Sequence, residues 1–152
     1  DLDQIVEQIL QIAKKVTFLA ILDSLFYLHK GGRVPFLGHW LTHKLQIKPI
    51  FELIQGKVKI LEKPRHFKKA QSHLLKIMKG RVLNREIRCI VTHANSPETA
   101  TILSESILNQ FNCSDLRISA CGPVLGAHTG PNFLGVSFYQ TSNFPDPCIL
   151  LQ

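Results

Sequence analysis

No apolar run in this chain reaches the ~20 residues that a membrane span needs. The longest, VTFLAILDSLFYL, is broken by Asp23 and Ser24. The four cysteines, Cys89, Cys113, Cys121 and Cys148, form no C-x-x-C pair, which removes zinc-ribbon and thioredoxin-like readings. There is no G-x-S-x-G elbow and no phosphate-binding P-loop. Aromatic residues make up only 8% of the chain, and none falls in an RNP-like pattern or a zinc-finger frame. Acidic residues are scarce: 11 Asp and Glu face 18 Lys and Arg, a formal net charge of +7.

What is present describes a folded domain. The 152 residues suit one domain, and 45% are hydrophobic. That is enough to bury a core without disulfide or metal staples. The basic balance points to an anionic partner: nucleic acid, a membrane surface, a charged ligand or an acidic protein. A surface simply rich in lysine is the plain alternative. Cys89 lies in an apolar, strand-like run and Cys121 follows another, so buried free thiols and a reducing, cytoplasmic setting are expected. The chain opens on DLDQIVEQ, a helix start rather than a secretory signal. From Asp1 in place of Met, a preceding segment is expected to be absent.

Periodicity predicts a helix over residues 3–16, with Asp3 as cap and Ile5, Ile9, Ile12 and Val16 on one face. VTFLAI reads as a strand. DSLFYLHKGG reads as a helix capped by Asp23 or Ser24 and ended by Gly31 or Gly32 in a left-handed conformation. A short helix is expected after Pro35. A hairpin turns at Gln55-Gly56, and Pro49 implies an edge strand or an unpaired backbone nitrogen. PRHFKKAQSHLLKIMKG predicts a helix with Phe67, Ala70, Leu74, Ile77 and Met78 inward. EIRCIVTHA is a strand, SPETATILSESILNQF a helix with Ser96 as its cap, and DLRISACG and VSFYQ are further strands. The tail TSNFPDPCILLQ reads as irregular. The β-α-β order after residue 86, together with the hairpin, predicts a mixed sheet with helices gathered on one face.

Four stretches hold candidate chemistry. In YLHKGGRV, Gly31 and Gly32 expose backbone amides between Lys30 and Arg33, a plausible anion site; a helix cap with solvated charges is the plain alternative. In EKPRHFKKA, Arg65, Lys68 and Lys69 sit at a helix start, against the macrodipole. In GPVLGAHTGP, Gly122, Gly126 and Gly130 let the backbone approach closely, and His128 and Thr129 sit at the tightest point of a loop. An imidazole and a hydroxyl there can bind a carboxylate or phosphate oxygen, or His128 can be a packed loop histidine. His39 and His43 stand one helical turn apart and can chelate a metal, but no third ligand accompanies them. A metal-dependent hydrolase therefore ranks last. A nucleic-acid-binding module, resting on charge alone, ranks second.

Taken in order, YLHKGGRV, LQIKPIF, RHFKKA, IVTHANSPETA and GPVLGAHTGP resemble the C-terminal half of the DegV family, from about Ile5 to Tyr139. That resemblance implies an α/β (α+β-like) C-terminal domain over residues 1–140, two layers with helices packed on a mixed sheet. An irregular tail over 141–152 follows, and the N-terminal DegV domain is absent. It implies a bacterial, cytoplasmic protein that binds a long-chain fatty acid and needs no cofactor. The implied role is a non-catalytic carrier. It would present the carboxylate to a separate ATP-dependent fatty acid kinase subunit and pass the acyl phosphate to a membrane acyltransferase. By motif match, His128, Thr129, Gly130 and Arg33 fall at the head-group end, and Arg65 and Lys30 face the partner or phosphate. Phe36, Leu37, Trp40 and Leu41 are candidates for the wall of an acyl tunnel. The family's serine and threonine carboxylate ligands belong to the N-terminal domain and have no counterpart in this chain.

Overall fold

The computed structural model describes residues 2–33 and 47–141. Its elements run α1 (Leu2–Lys15), β1 (Thr17–Ile21), α2 (Phe26–Lys30), β2 (Ile50–Ile54), β3 (Lys57–Glu62), α3 (Phe67–Val82), β4 (Ile87–His93), α4 (Pro97–Gln110), β5 (Cys113–Ala120), α5 (Pro123–Thr129) and β6 (Leu134–Gln140). The six strands form one sheet in the order β3-β2-β1-β6-β4-β5. Only β4 and β5 are parallel, joined by α4 as the crossover helix. The sheet is mixed, as the sequence predicts.

Strand alternation assigns the faces. Leu19 of β1, Val136 of β6 and Val91 of β4 stand in one row across three strands. They are fully buried under Ala70, Leu74, Met78 and Val82 of α3 and Ala100, Leu103 and Ile107 of α4. Each such Leu or Ile removed from water contributes ~1.5–3 kcal/mol. The opposite face carries a second cluster: Ala20, Leu22 and Phe51 with Leu25, just before α2, and Leu28 of α2, together with Ile47 and Phe133. Phe18 stacks on Phe133 at 6.4 Å between ring centroids and meets Phe51 edge-on at 6.1 Å. Helices therefore lie on both faces. The expectation of one face holds for α3 and α4 and fails for α2, because Leu25 and Leu28 follow β1 directly and fold onto its other side.

Local chemistry explains most boundaries. Gln55 and Gly56 both take positive φ, 48° and 76°, the pair that a two-residue hairpin turn of matching twist requires. Leu25 stands at the cap position of α2, one residue past the expected Ser24, whose hydroxyl still accepts the first helical N–H, that of Phe26, at 3.1 Å; Asp23 pairs with Lys48 instead. Pro49 lies just before β2, an interior strand, so an edge position is ruled out and its missing N–H removes no bond from the ladder. Ser96 does stand at the start of α4 but does not cap it. Its hydroxyl turns inward and donates to the carbonyls of Ala94 (3.3 Å) and Phe133 (3.4 Å). Besides the predicted positions, α3 buries Leu75 and Val82, whereas Phe67 and Ile77 are only partly covered. α1 buries none of its residues: Ile5 and Ile12 are half-buried and Ile9 is exposed.

Two side-chain contacts tie α3 to the sheet: His73 meets Glu62 of β3, and Arg81 meets Glu52 of β2. Arg81 grips the buried Glu52 carboxylate with both terminal nitrogens, the second at 2.9 Å. The hydrogen bond from Arg81 holds the Glu52 carboxyl below its ordinary range, against the opposing effect of burial. Burial pushes the Cys89 thiol well above its usual value, and neighbouring Cys113 adds to the shift.

Candidate functional site

The strand registers collect the candidate stretches along one edge of the sheet. Ile21, at the end of β1, pairs with Leu134, which pairs with His93 at the end of β4. On its other side Ile21 pairs with Ile50, which pairs with Glu62 at the end of β3. Beyond that edge lie α2 and its K-G-G-R turn, Lys48, Lys63 to His66, the loop after β4, and α5 after β5. This is also where the parallel strands β4 and β5 present their carboxyl ends, the usual location of ligands in α/β sheets.

Segment 123–129 is a short helix, α5, and not the tight loop expected from its glycines. Pro123 at the first helical position sets φ for the turn. Gly130 ends it at φ 77°, ψ −179°, a backbone state essentially limited to glycine. α5 then packs on α2 through two glycines. A Cβ placed on Gly130 would lie 2.5 Å from Cε2 of Tyr27 and closer still to Cδ2. A Cβ placed on Gly31 would lie 2.9 Å from Cε1 of His128 and closer still to Nδ1. The K-G-G-R turn thus meets His128 directly. The Arg33 guanidinium folds back on the same turn, donating to the Gly31 carbonyl at 3.0 Å. Lys30 places its Nζ 5.7 Å from the Phe26 ring centroid.

The backbone amides expected to receive an anion are already engaged. Gly31 N–H donates to Tyr27 O (2.9 Å), Gly32 N–H to His29 O (2.9 Å) and Arg33 N–H to Leu28 O (3.0 Å). Gly126 and Gly130 donate to Gly122 O and Gly126 O. A helix cap satisfies its own donors, so these amides are not free to bind an anion. Thr129 is buried, and its hydroxyl proton is committed to Leu125 O at 2.9 Å. Lys30, Arg33 and His128 are cationic or polar groups at or beside the α2–α5 contact.

Arg65 is exposed and shares the sheet edge, but it follows β3, the outer strand on the far side. Four inter-strand steps separate β3 from β4, about 19 Å at the usual spacing. Phe36, Leu37, Trp40 and Leu41, and also His39 and His43, lie outside the described residues. Among the described residues no cluster of three or more His, Cys, Asp or Glu is placed to hold a metal ion. None of their helices is long and apolar enough to cross a membrane. On the α2 side of the sheet, toward the opposite edge, the lining of a cavity of about 310 Å³ includes Val16, Arg88, Ile90, Asp115, Arg117 and Tyr139.

Two features of the site escape inspection of the sequence. Tyr27 had no assigned part, yet its ring closes the end of α5. The Gly31–His128 contact joins residues 97 positions apart. Its one signal is the glycine doublet: a left-handed cap needs one glycine, and a second asks for a close neighbour.

The model of the DegV family, described as an uncharacterised protein family, matches residues 1–141. A DegV domain-containing protein of Halalkalibacterium halodurans is 31% identical over 140 residues, covering 91% of this chain and 50% of that protein. The crystal structure of a fatty acid binding DegV family protein from Streptococcus agalactiae superimposes with a TM-score of 0.76 at 27% identity, covering 92% of this chain and 50% of that one. The Streptococcus pneumoniae Fatty Acid Kinase B3 protein, loaded with linoleic acid, has the same fold, with a TM-score of 0.80 at 21% identity and the same shares covered. The chain spans about half the length of the curated relatives it matches.

Proposed function

The chain belongs to the DegV family, and from that premise we propose that it binds one long-chain fatty acid with the carboxylate held where α2 meets α5. The observation that carries this is the junction itself: the K-G-G-R turn, with Lys30 and Arg33, abuts His128 through Gly31. A carboxylate beside apolar walls needs hydrogen-bond donors. The nearby amides named above are engaged, so the guanidinium, ammonium and imidazole supply them through charge-assisted bonds. Thr129 and Gly130 hold the end of α5 and so shape that pocket. The acyl tail gains ~0.8 kcal/mol for each methylene removed from water. Phe36, Leu37, Trp40 and Leu41, which lie outside the described residues, are proposed to wall its path. The fatty acid named in the Streptococcus agalactiae and Streptococcus pneumoniae structures supports this ligand class.

In this proposal the protein has no catalysis of its own. It presents the carboxylate to a separate kinase subunit, for which the Streptococcus pneumoniae relative is the support. Lys30 and Arg65, at two points of one basic sheet edge, face that partner. Native mass spectrometry with extraction of bound lipid tests the ligand. We expect one fatty acid per chain, retained on purification or taken up from added linoleic acid, by the chain alone or joined to the half of its relatives it does not cover. A folded sample that holds none in either form overturns the proposal.

A further inference from the structure

The two glycines of the K-G-G-R turn are glycines for different physical reasons. Gly32 has φ +70°, and a Cβ there would meet nothing within 4 Å. Its requirement is conformational. Gly31 has φ −78° and ψ 0°, a backbone state open to L-residues. A Cβ there is blocked chiefly by the His128 ring, with Tyr27 O next at 3.3 Å. The conformation of residue 31 does not call for glycine; the neighbour does.

We propose that Gly31 is a positioning residue for His128. Its missing side chain lets the imidazole seat its Nδ1–Cε1 edge against the turn, which leaves Nε2 as the nitrogen clear of that contact and available to a carboxylate oxygen. The Arg33 guanidinium, latched to the Gly31 carbonyl at 3.0 Å, is fixed by the same residue. One glycine thereby sets the relative placement of an imidazole from α5 and a guanidinium from the turn after α2. The imidazole is the distal part of a side chain and can rotate away. A methyl at residue 31 therefore evicts the ring rather than unfolding the domain. The contact stands on geometry alone; its part in ligand binding rests on the fatty-acid reading above.

The test compares Gly31→Ala with Gly32→Ala. The His128 Cε1–H signal is read by NMR in ligand-free protein and assigned from its loss in His128→Ala. Retention of added linoleic acid is measured in parallel. Gly31→Ala is expected to move the His128 signal and weaken linoleate binding about tenfold or more, the worth of a charge-assisted hydrogen bond. Gly32→Ala is expected to lower the melting temperature and leave the His128 signal in place. If Gly31→Ala does not fold, the Gly31→Ala/His128→Ala pair should fold, because removing the ring makes room for the methyl. An unmoved His128 signal in folded Gly31→Ala overturns the proposal, and so does a double variant as unstable as the single one. A moved signal in a protein that never binds linoleate sinks the ligand reading and leaves the positioning contact standing.

Discussion

The Tyr27 ring fills the space into which a side chain on residue 130 would project, and Gly130 also holds a backbone state that other residues adopt only under strain. Two independent penalties therefore meet at one position. Gly130→Ala should destabilise the domain by about 2 kcal/mol or more, since the backbone state alone costs ~1–3 kcal/mol. In a Tyr27→Ala background the steric part vanishes and the backbone part stays. Urea unfolding of the four proteins in this cycle checks both; a loss under ~0.5 kcal/mol for Gly130→Ala would mean that the end of α5 is not held by this contact.

His128→Ala should reduce linoleate retention by about tenfold or more while the unfolding midpoint moves little. Its ring is partly exposed and packs on a glycine. Equal retention by the variant would remove His128 from the head-group site.

Leu83 ends α3 in the left-handed conformation at φ 50° with 67% of its surface exposed. A left-handed L-residue costs roughly 1–2 kcal/mol, and little packing is lost with this side chain. Leu83→Gly should stabilise the domain by about 0.5–1 kcal/mol after the entropy of the added glycine is offset. Thermal unfolding should show a rise of ~2–4 °C per kcal/mol, and a fall would show that Leu83 packs in solution.

The Glu52–Arg81 pair gives stability a defined pH dependence. The hydrogen bond from Arg81 holds the folded-state Glu52 carboxyl below its ordinary value. The pair's contribution is then fully present above that value and is lost as pH falls through the lower folded value. Glu52→Gln should be less stable than wild type at pH 7, with the gap closing in acid. A gap that is constant from pH 7 to pH 3 would mean the carboxylate's charge is not what Arg81 holds.

Cys89 is buried and its thiol is shifted upward by burial. Because the thiolate is the reactive form, Cys89 should be the last described cysteine to be alkylated at pH 8, and only when the chain opens. Peptide mapping after iodoacetamide treatment of a Cys148→Ser variant follows this. Labelling of Cys89 as fast as Cys121 would contradict its placement.

Elements governed by neighbours in the chain were legible, and those governed by distant partners were not. The Gln55-Gly56 turn, the faces of α3 and the crossover β4-α4-β5 follow from turn chemistry and periodicity within short windows. α5 does not: seven residues with two prolines and three glycines in or beside them have little helical tendency. It is held by Tyr27 and the K-G-G-R turn, far away in the chain. The same limit explains the glycine amides of that turn. Composition suggests open donors, whereas the helix cap closes each one locally. His128 and Arg33 were legible as residue types, but their shared neighbour, Gly31, was not legible as the place where both meet. Ser96 was found at the right position with the wrong bond, because the carbonyl of Phe133 that draws its hydroxyl inward arrives 37 residues later.

Among the described residues β6 is the last strand in chain order, and it sits between β1 and β4 within the sheet. During synthesis the five earlier strands can form only two ribbons, β3-β2-β1 and β4-β5, each with an open inner edge. Those edges carry Leu19 and Val91, residues that the finished protein hides completely. Until residues 134–140 have cleared the ribosome, a nascent chain exposes both ribbons to other chains at once. A ribosome stalled just before Leu134 would therefore release a product with two adhesive halves, and seven residues separate that species from a closed sheet.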